Sequence, residues 1–562
     1  MTPSEGQMTA APIAQGRWNI VSAGAMAWVG PLAAALFSLV LMLPYLDHLA
    51  DYDEYYTLLA ARGWLETGAP VIADGAYTRA FSFTVLQAAF FSVFGESMVV
   101  ARLPSLLAVM ALAAGLFIWV RHVAGAWSAT LATVIFACIP LTIQMGQFSR
   151  FYALHALTVG ATALLAYYAC LATGRRRVAL AAGGLVGVAW SMNLQSTTVI
   201  ALCAIGLWMT AVVMNHLLVR ARTWRGRALI AGSFLGLIAV AAAALSLSSI
   251  GATFWNEFQS TTLWGATPER AENVRYYHQT LDRELGFLWS LFPIAAVVAV
   301  VNRGRTMLFA AVFVATTLAL HSLAAQKDER YVFYILPFIA VLLGVGLTTA
   351  IAGYWNWLRR ALPDLLGERA SFATIARVAT ALAAVSVLFA LANNPPVADV
   401  LRMLAGAPKT ERLDYSWIAD WPTETPALRP IVEPPTILVT SSGMKAIYYL
   451  GGYDFELNAN VADETDTHRD FGVDERTGRQ ALSSPASLEL LMSCYSDIVF
   501  VIDESRWSRD TAVPIATSAL IEMRAERLPT RPESALLAFR ATNVSASPSM
   551  EMCKELRPGR RR

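Results

Sequence analysis

Long apolar stretches of about 20 residues recur through the first 392 positions, separated by short polar turns, a length that matches a bilayer core roughly 30 Å thick. Eleven such stretches are expected to be spans: 26–46, 99–121, 127–145, 151–172, 178–193, 196–216, 228–250, 284–301, 306–324, 331–353 and 372–392. The division between the fifth and sixth rests on the polar break Asn193-Leu-Gln-Ser196. Arg79–Phe94 is apolar but short and rich in Phe, which fits a helix lying at the interface. The first span has no small-residue cleavage site behind it, so it reads as an uncleaved anchor.

After position 392 the pattern changes. Asn393-Asn-Pro-Pro396 stops the last helix, and short β-branched runs follow at Thr436–Thr440 and Asp497–Asp503, both with the character of buried strands. Ser484–Met492 opens on Ser-Pro and has helical spacing, hence a helix with a capped start. The chain thus divides into a membrane region, 1–392, and a soluble α/β domain, 393–562. Residues 47–98 form the first outer loop.

Sidedness follows from the basic residues. With the N-terminus inside, the inner connections hold Arg121, Arg175–Arg177, the four Arg of Arg220–Arg227, Arg303 with Arg305, and Arg359, Arg360 and Arg369. The opposite set, including 47–98, 251–283 and the whole tail, is longer, more acidic or nearly uncharged. One orientation satisfies every loop, and it places the tail outside.

Composition agrees with a polytopic membrane protein: 56% of residues are hydrophobic and 15% are charged. Four of the 43 basic residues are Lys, an Arg bias in keeping with a GC-rich bacterial genome and hence an inner-membrane location. The net charge of +2 gives no ground for a nucleic-acid partner. Cys138, Cys170 and Cys203 lie in apolar runs; Cys494 and Cys553 lie in the tail, and the sequence leaves open whether they pair.

The densest chemistry lies at Asp51-Tyr-Asp-Glu-Tyr-Tyr56, just beyond the first span. Asp53 and Glu54 are adjacent carboxylates at an apolar boundary, where burial raises the pKa of a carboxyl and suits it to act as a base. At the same outer level lie four cations. Arg79 precedes the interfacial helix, Arg150 begins the fourth span, and Lys327 and Arg330 begin the tenth. Singly each could anchor at the headgroup level; gathered, they could hold a phosphate. Tyr55, Tyr56, Tyr152, His155 and Tyr331 are candidates for lining the same cavity.

Asp53-Glu54-Tyr-Tyr56 is followed by Arg62-Gly-Trp-Leu-Glu-Thr-Gly-Ala-Pro70, Tyr77-Thr-Arg79, Phe94-Gly-Glu-Ser97 and Ala101-Arg-Leu-Pro-Ser105. Further on come Ser149-Arg-Phe-Tyr152, the stretch from Lys327 to Pro337, and Ala446–Tyr453. Together and in this order they resemble the GT-C glycosyltransferase superfamily, more narrowly the bacterial relatives of protein O-mannosyltransferases and of aminoarabinose–lipid A transferases. The likeness is strong over the first 150 residues, loose in the middle and faint in the tail. It implies an inverting transferase that moves a sugar from polyprenyl phosphate to an acceptor hydroxyl on a glycan, lipid or protein. Asp53 would be the catalytic carboxylate and Glu54 would orient the acceptor or support Asp53. Arg79, Arg150, Lys327 and Arg330 would hold the donor phosphate. No metal ligands stand out and no cofactor is required by this chemistry, although a divalent cation, Mg or Mn, could sit beside two carboxylates. The segment after Arg79 departs from the pattern, being Ala-Phe-Ser where a further basic residue and prolines are usual.

Two other functions fit parts of the pattern. A polysaccharide polymerase or ligase would also use polyprenyl-linked glycan at the outer face. A multispan transporter fits less well, because the chain lacks paired repeats with matching broken spans.

Overall fold

Apolar runs without backbone partners in lipid must satisfy their own hydrogen bonds, and they do so here as helices. The structure, a computed structural model, describes residues 26–247, 272–361, 394–407 and 418–559, apart from 222, 460, 462–470, 483, 510–511, 544–545 and 547–550. The first part of the bundle comprises α1 (Met26–Met42), α2 (Tyr52–Thr67), a two-stranded ribbon of β1 (Val71–Ile72) and β2 (Gly75–Ala76), α3 (Phe81–Phe94) and α4 (Met98–Ala124). Next come α5 (Ala126–Cys138), α6 (Pro140–Gly146), α7 (Tyr152–Leu171), α8 (Gly174–Leu194), α9 (Thr198–Arg220) and α10 (Trp224–Ser246). It closes with α11 (Tyr276–Leu285), α12 (Phe287–Arg303), α13 (Arg305–Leu323) and α14 (Leu336–Ala361).

Among the described residues, seven helices are long and apolar enough to cross a membrane, and nine spans result if each of two bent pairs counts as one. The expected third span, 127–145, is one of these pairs: α5 and α6 meet at 70°, where Pro140 cannot continue the ladder. The eighth is the other, since α11 and α12 meet at 102° across Gly286. The expected span at 228–250 falls on α10, and the one at 372–392 lies outside the described residues. The break at 193–196 does separate two helices, α8 and α9. The Phe-rich segment is the separate 14-residue helix α3.

Small residues set the tightest crossings. A Cβ on Gly344 of α14 would lie 2.6 Å from the Ala132 backbone nitrogen of α5, so these axes approach as closely as backbones allow. Leu336–Leu343 of α14 are fully or almost fully buried, which makes this helix the centre of the bundle.

The first helix after the bundle, α15 (Pro395–Leu404), was expected to belong to the tail. Instead it buries Val397 and Val400 in the bundle's core, and Asn394 donates to the Cys138 carbonyl at 2.9 Å. The strand-containing region follows it. That region contains α16 (Trp421–Leu428), β3 (Ile437–Thr440), α17 (Gly443–Leu450), β4 (Phe455–Leu457), β5 (Phe471–Asp474) and β6 (Arg479–Leu482). It continues with α18 (Pro485–Cys494), β7 (Asp497–Asp503), α19 (Ile515–Arg524), β8 (Glu526–Arg527) and β9 (Leu536–Thr542). Strand order is β5-β6-β4-β3-β7-β9-β8, with β6, β4, β3 and β7 parallel. Both β-branched runs are strands, and Ser484 caps α18 as its Ser-Pro start suggests. Side chains on both faces of β3 and β7 are buried, as in sheets covered by helices on each side.

Cys494 and Cys553 are joined by a disulfide, and Cys138, Cys170 and Cys203 are free thiols. Alkylation of the denatured, unreduced protein should therefore tag three cysteines, and five after reduction. Five tags without reductant would show the pair to be open.

Candidate active site

The helix α2 starts where its sequence says it should. Asp51 is the N-cap, its carboxylate accepting from the Asp53 backbone N–H at 2.8 Å, and Glu54 reaches back to accept the Asp51 N–H at 3.0 Å. This capping box fixes the first turn, and with it the directions in which Asp53 and Glu54 leave the helix.

The two carboxylates have separate partners. The Glu54 side chain is fully buried and forms a bidentate pair with Arg102 of α4, with Nε to Oε2 at 2.8 Å and Nη2 to Oε1 at 2.7 Å. The Ser149 backbone N–H also donates to Glu54, at 2.7 Å. Arg102 spends its remaining donors on the Leu46 and His48 carbonyls. Asp53, by contrast, is about a third exposed (32%) and accepts from Arg330 Nη1 at 2.9 Å. The expectation of two carboxylates facing one cavity is thus met by Asp53 alone. Glu54 has no oxygen left to orient an acceptor, and it sits where it supports the helix that carries Asp53.

The residues around Asp53 come from distant parts of the chain. Arg150, in the turn before α7, donates to the Asp53 backbone carbonyl at 3.1 Å and to the Tyr77 hydroxyl at 2.9 Å. It is buried, and its Nε has no hydrogen-bond partner. Arg330 also makes a two-point contact with Asp328, both bonds at 2.9 Å. Arg79 is exposed, donates to Gln195 at 2.8 Å and lies over the Phe151 ring at 5.3 Å. Arg150 lies over the same ring at 5.1 Å, so one aromatic ring serves two guanidiniums. Phe148 and Tyr152 lie similarly under Arg330, at 5.6 and 5.5 Å. Tyr331 lies against Tyr152 with the rings tilted at 40° and their centroids 6.3 Å apart.

Three of the four expected cations therefore gather around Asp53. Lys327 is buried nearby in sequence, and its ammonium donates to the Ala324 carbonyl at 2.6 Å. His155, an expected lining residue, is packed inside the bundle. It bonds Thr198 at 2.8 Å and meets Tyr334 edge-on, which makes it a satisfied core residue. Tyr55 faces the tail, with its hydroxyl 3.0 Å from that of Tyr449. Tyr56 stacks on Tyr77 at 5.3 Å, one layer behind Arg150. Reading the sequence singled out neither Arg102, Gln195, Phe148, Phe151 nor Asp328 as site residues. Arg102, Phe151 and Asp328 lie inside quoted motifs; Gln195 had no signal beyond its place in an outer turn.

Charge decides the state of Asp53. Burial pushes its carboxyl up, as the sequence suggested, yet Arg150, Arg330 and Arg79 more than offset that and hold it below the ordinary carboxylate value. Glu54 is likewise pushed up by burial and pulled down further by Arg102. Among the described residues, no three His, Cys, Asp or Glu side chains come together as a metal-holding group. The carboxylate pair that could have seated Mg or Mn is not formed, because the Glu54 oxygens are already taken by donors.

The architecture is a helical bundle with an acidic first loop and a C-terminal strand-containing domain, a fold it shares with solved structures. Among solved structures it is similar to ArnT from Cupriavidus metallidurans bound to undecaprenyl phosphate, with a TM-score of 0.58 and 14% identity, covering 93% of this chain and 100% of that one. The apo state of the same ArnT gives 0.57 and 16% identity, covering 94% and 100%. No sequence-family profile matches the chain, and no curated protein matches it by sequence.

Removing Arg102 leaves a buried Glu54 charge unpaired. Arg102→Ala should cost about 3–5 kcal/mol, read as a loss of folded protein in detergent on thermal challenge. Combining Arg102→Met with Glu54→Leu should recover a good part of that loss. Equal damage from the double variant would show that packing, not charge, governs the site.

Proposed function

We propose that the protein is an inverting membrane glycosyltransferase that moves a sugar from a polyprenyl-phosphate donor to an acceptor hydroxyl, with Asp53 as the carboxylate that receives the proton. The observation that carries this reading is the cluster of Arg79, Arg150 and Arg330 around one part-exposed carboxylate, with a buried guanidinium nitrogen of Arg150 still lacking a partner. Supporting it, the chain shares the fold of a protein solved with undecaprenyl phosphate.

The acceptor oxygen attacks the anomeric carbon while the bond from that carbon to the phosphate oxygen breaks. The electron pair leaves on the phosphate, and the acceptor proton passes to Asp53. A lipid phosphate is a good leaving group and needs no general acid, only fixed positive charge to receive it. Arg150 supplies that charge from a buried, two-sided aromatic seat, and Arg79 supplies it from the exposed rim. Arg330 bridges both halves of the site, since its guanidinium already touches Asp53 and can reorient toward a phosphate with its unused N–H groups. Lys327 backs this cluster rather than completing it. The active site and tail face the outside of a bacterial inner membrane in this reading, and the Cys494–Cys553 disulfide suits such a compartment.

Held below the ordinary carboxylate value, Asp53 is a weaker base than a free carboxylate, so its contribution is positional: it orients the acceptor hydroxyl and takes the proton late. Asp53→Asn should abolish sugar release from undecaprenyl-phosphate hexose while undecaprenyl phosphate still raises the melting temperature. Activity of that variant within a few-fold of the natural protein would remove Asp53 from the mechanism. Arg150→Ala should instead weaken the lipid-induced shift.

The pH dependence has a definite sign. Since the arginines hold Asp53 below its ordinary value, activity should persist to below about pH 4 before protonation removes the base. Arg330→Gln withdraws one of those charges and should move the acidic limb of the pH–rate profile upward. A limb that stays in place would detach Asp53 from that limb.

A further inference from the structure

The carboxyl ends of the tail's parallel strands meet the catalytic helix. From β3 the chain passes to β4 and then β6 on one side, and returns to β7 on the other, so strand order reverses between β3 and β7. In open α/β sheets ligand crevices form beyond the carboxyl ends of the strands at such a reversal. Here that place is roofed by α2: Arg506, just after β7, lies 4.5 Å over the Tyr52 ring, and Arg476 lies 5.0 Å over Tyr56.

We propose that this crevice, bounded by Ser442, Glu456, Asn458, Arg506 and Tyr52, is a saccharide subsite that holds the acceptor of the transfer through neutral hydroxyl groups. The inference rests on the transferase reading and adds to it where and by what chemistry the acceptor is held.

Two unspent groups mark the crevice. Ser442 is the N-cap of α17 and fully buried, yet its hydroxyl makes no cap bond and has no partner. A buried hydroxyl left without a partner loses the hydrogen bonds it had in water, a loss that a ligand hydroxyl would return. Glu456, at the end of β4, is 1% exposed. Its carboxylate accepts from neutral groups, Tyr453 Oη at 3.2 Å and Asn458 Nδ2 at 3.0 Å, and no ion pair to it is formed among the described residues. Burial and then Asp474 push its carboxyl up, so it is suited to exchange hydrogen bonds with a hydroxyl in either direction.

The charge balance selects the ligand class. Glu456 and Asp474 oppose Arg476 and Arg506, so the formal sum is zero. Each guanidinium already has an acceptor, Arg506 the Ser441 carbonyl at 2.6 Å and Arg476 the Asp474 carboxylate at 3.1 Å. Lys445 is held by Asp503 at 2.8 Å. An anionic ligand would meet no net positive charge, whereas hydroxyls both donate and accept and sugar rings lie well against Tyr. Tyr52 precedes Asp53 in the first turn of α2, so the subsite is roofed by the same helix that carries the residue proposed to take the proton.

The test uses full-length protein in detergent with excess undecaprenyl phosphate, applied to an array of neutral and anionic oligosaccharides. The natural protein and Asp53→Asn should bind a subset of neutral glycans, and Glu456→Gln and Ser442→Val should each weaken that binding at least tenfold. Asn458→Ser serves if either variant fails to fold, and a retained undecaprenyl-phosphate melting shift shows that a variant has folded. Binding confined to anionic glycans, binding unchanged in all three tail variants, or no glycan binding would each overturn the subsite. If the lipid itself gives no shift with the natural protein, it is the transferase reading that fails.

Discussion

The buried pair between Glu54 and Arg102 is the interaction on which the rest of this structure depends. It costs solvation to form, and an isolated pair of this kind seldom adds net stability over a hydrophobic substitute. Its value lies in what else it holds. Glu54 closes the capping box of α2 and accepts from the Ser149 backbone, while Arg102 gathers the two carbonyls of the chain entering α2. Ser105 of α4 donates to the Arg150 carbonyl, and Thr57 of α2 donates to that of Ser149. One polar knot therefore fixes α2, α4 and the turn before α7 in mutual register. Asp53 and Arg150 project from its two ends.

That arrangement turns proximity into electrostatics. Asp53 is placed among three guanidiniums, each held by an aromatic ring or a second acceptor, so the charges do not need to reorganise to act. The outcome differs from a simple reading of burial, in which an apolar boundary makes a carboxyl less acidic. Counting opposing charges reverses the sign, because the cations outweigh desolvation.

Much of this was legible in the sequence, for identifiable reasons. Apolar length set the spans, Ser-Pro at 484–485 set the start of α18, and β-branched runs set β3 and β7, since each signal acts locally. The acidic pair and three of the cations also announced themselves by type and by level in the membrane. What stayed hidden was direction. Adjacent residues on a helix diverge by about 100°, so Asp53 and Glu54 face different partners although they look equivalent in sequence. The same limit applies to His155, whose burial against Thr198 depends on rotation of α7 against α9. Bends were missed too: Pro140 and Gly286 gave warning, but the apolar pattern runs straight through both breaks. The place of α15 on the bundle followed from its amphipathic face, which composition alone assigned to the soluble side.

The ribbon between β1 and β2 meets the β5–β6 turn backbone to backbone. Asp74 donates its N–H to the Thr477 carbonyl and pairs with Arg479, and a methyl group on Gly75 would fall 2.6 Å from the Glu475 carbonyl oxygen. In sequence, Asp474-Glu-Arg-Thr-Gly478 is the kind of polar surface turn where a protein engineer would insert an epitope or a fluorescent reporter. In this molecule the same turn is a joint between two bodies, with no spare volume and with Arg476 lying on Tyr56. An insertion there would pry the C-terminal domain from α2, and a label intended as silent would report on, and disturb, the spacing at the helix that carries Asp53.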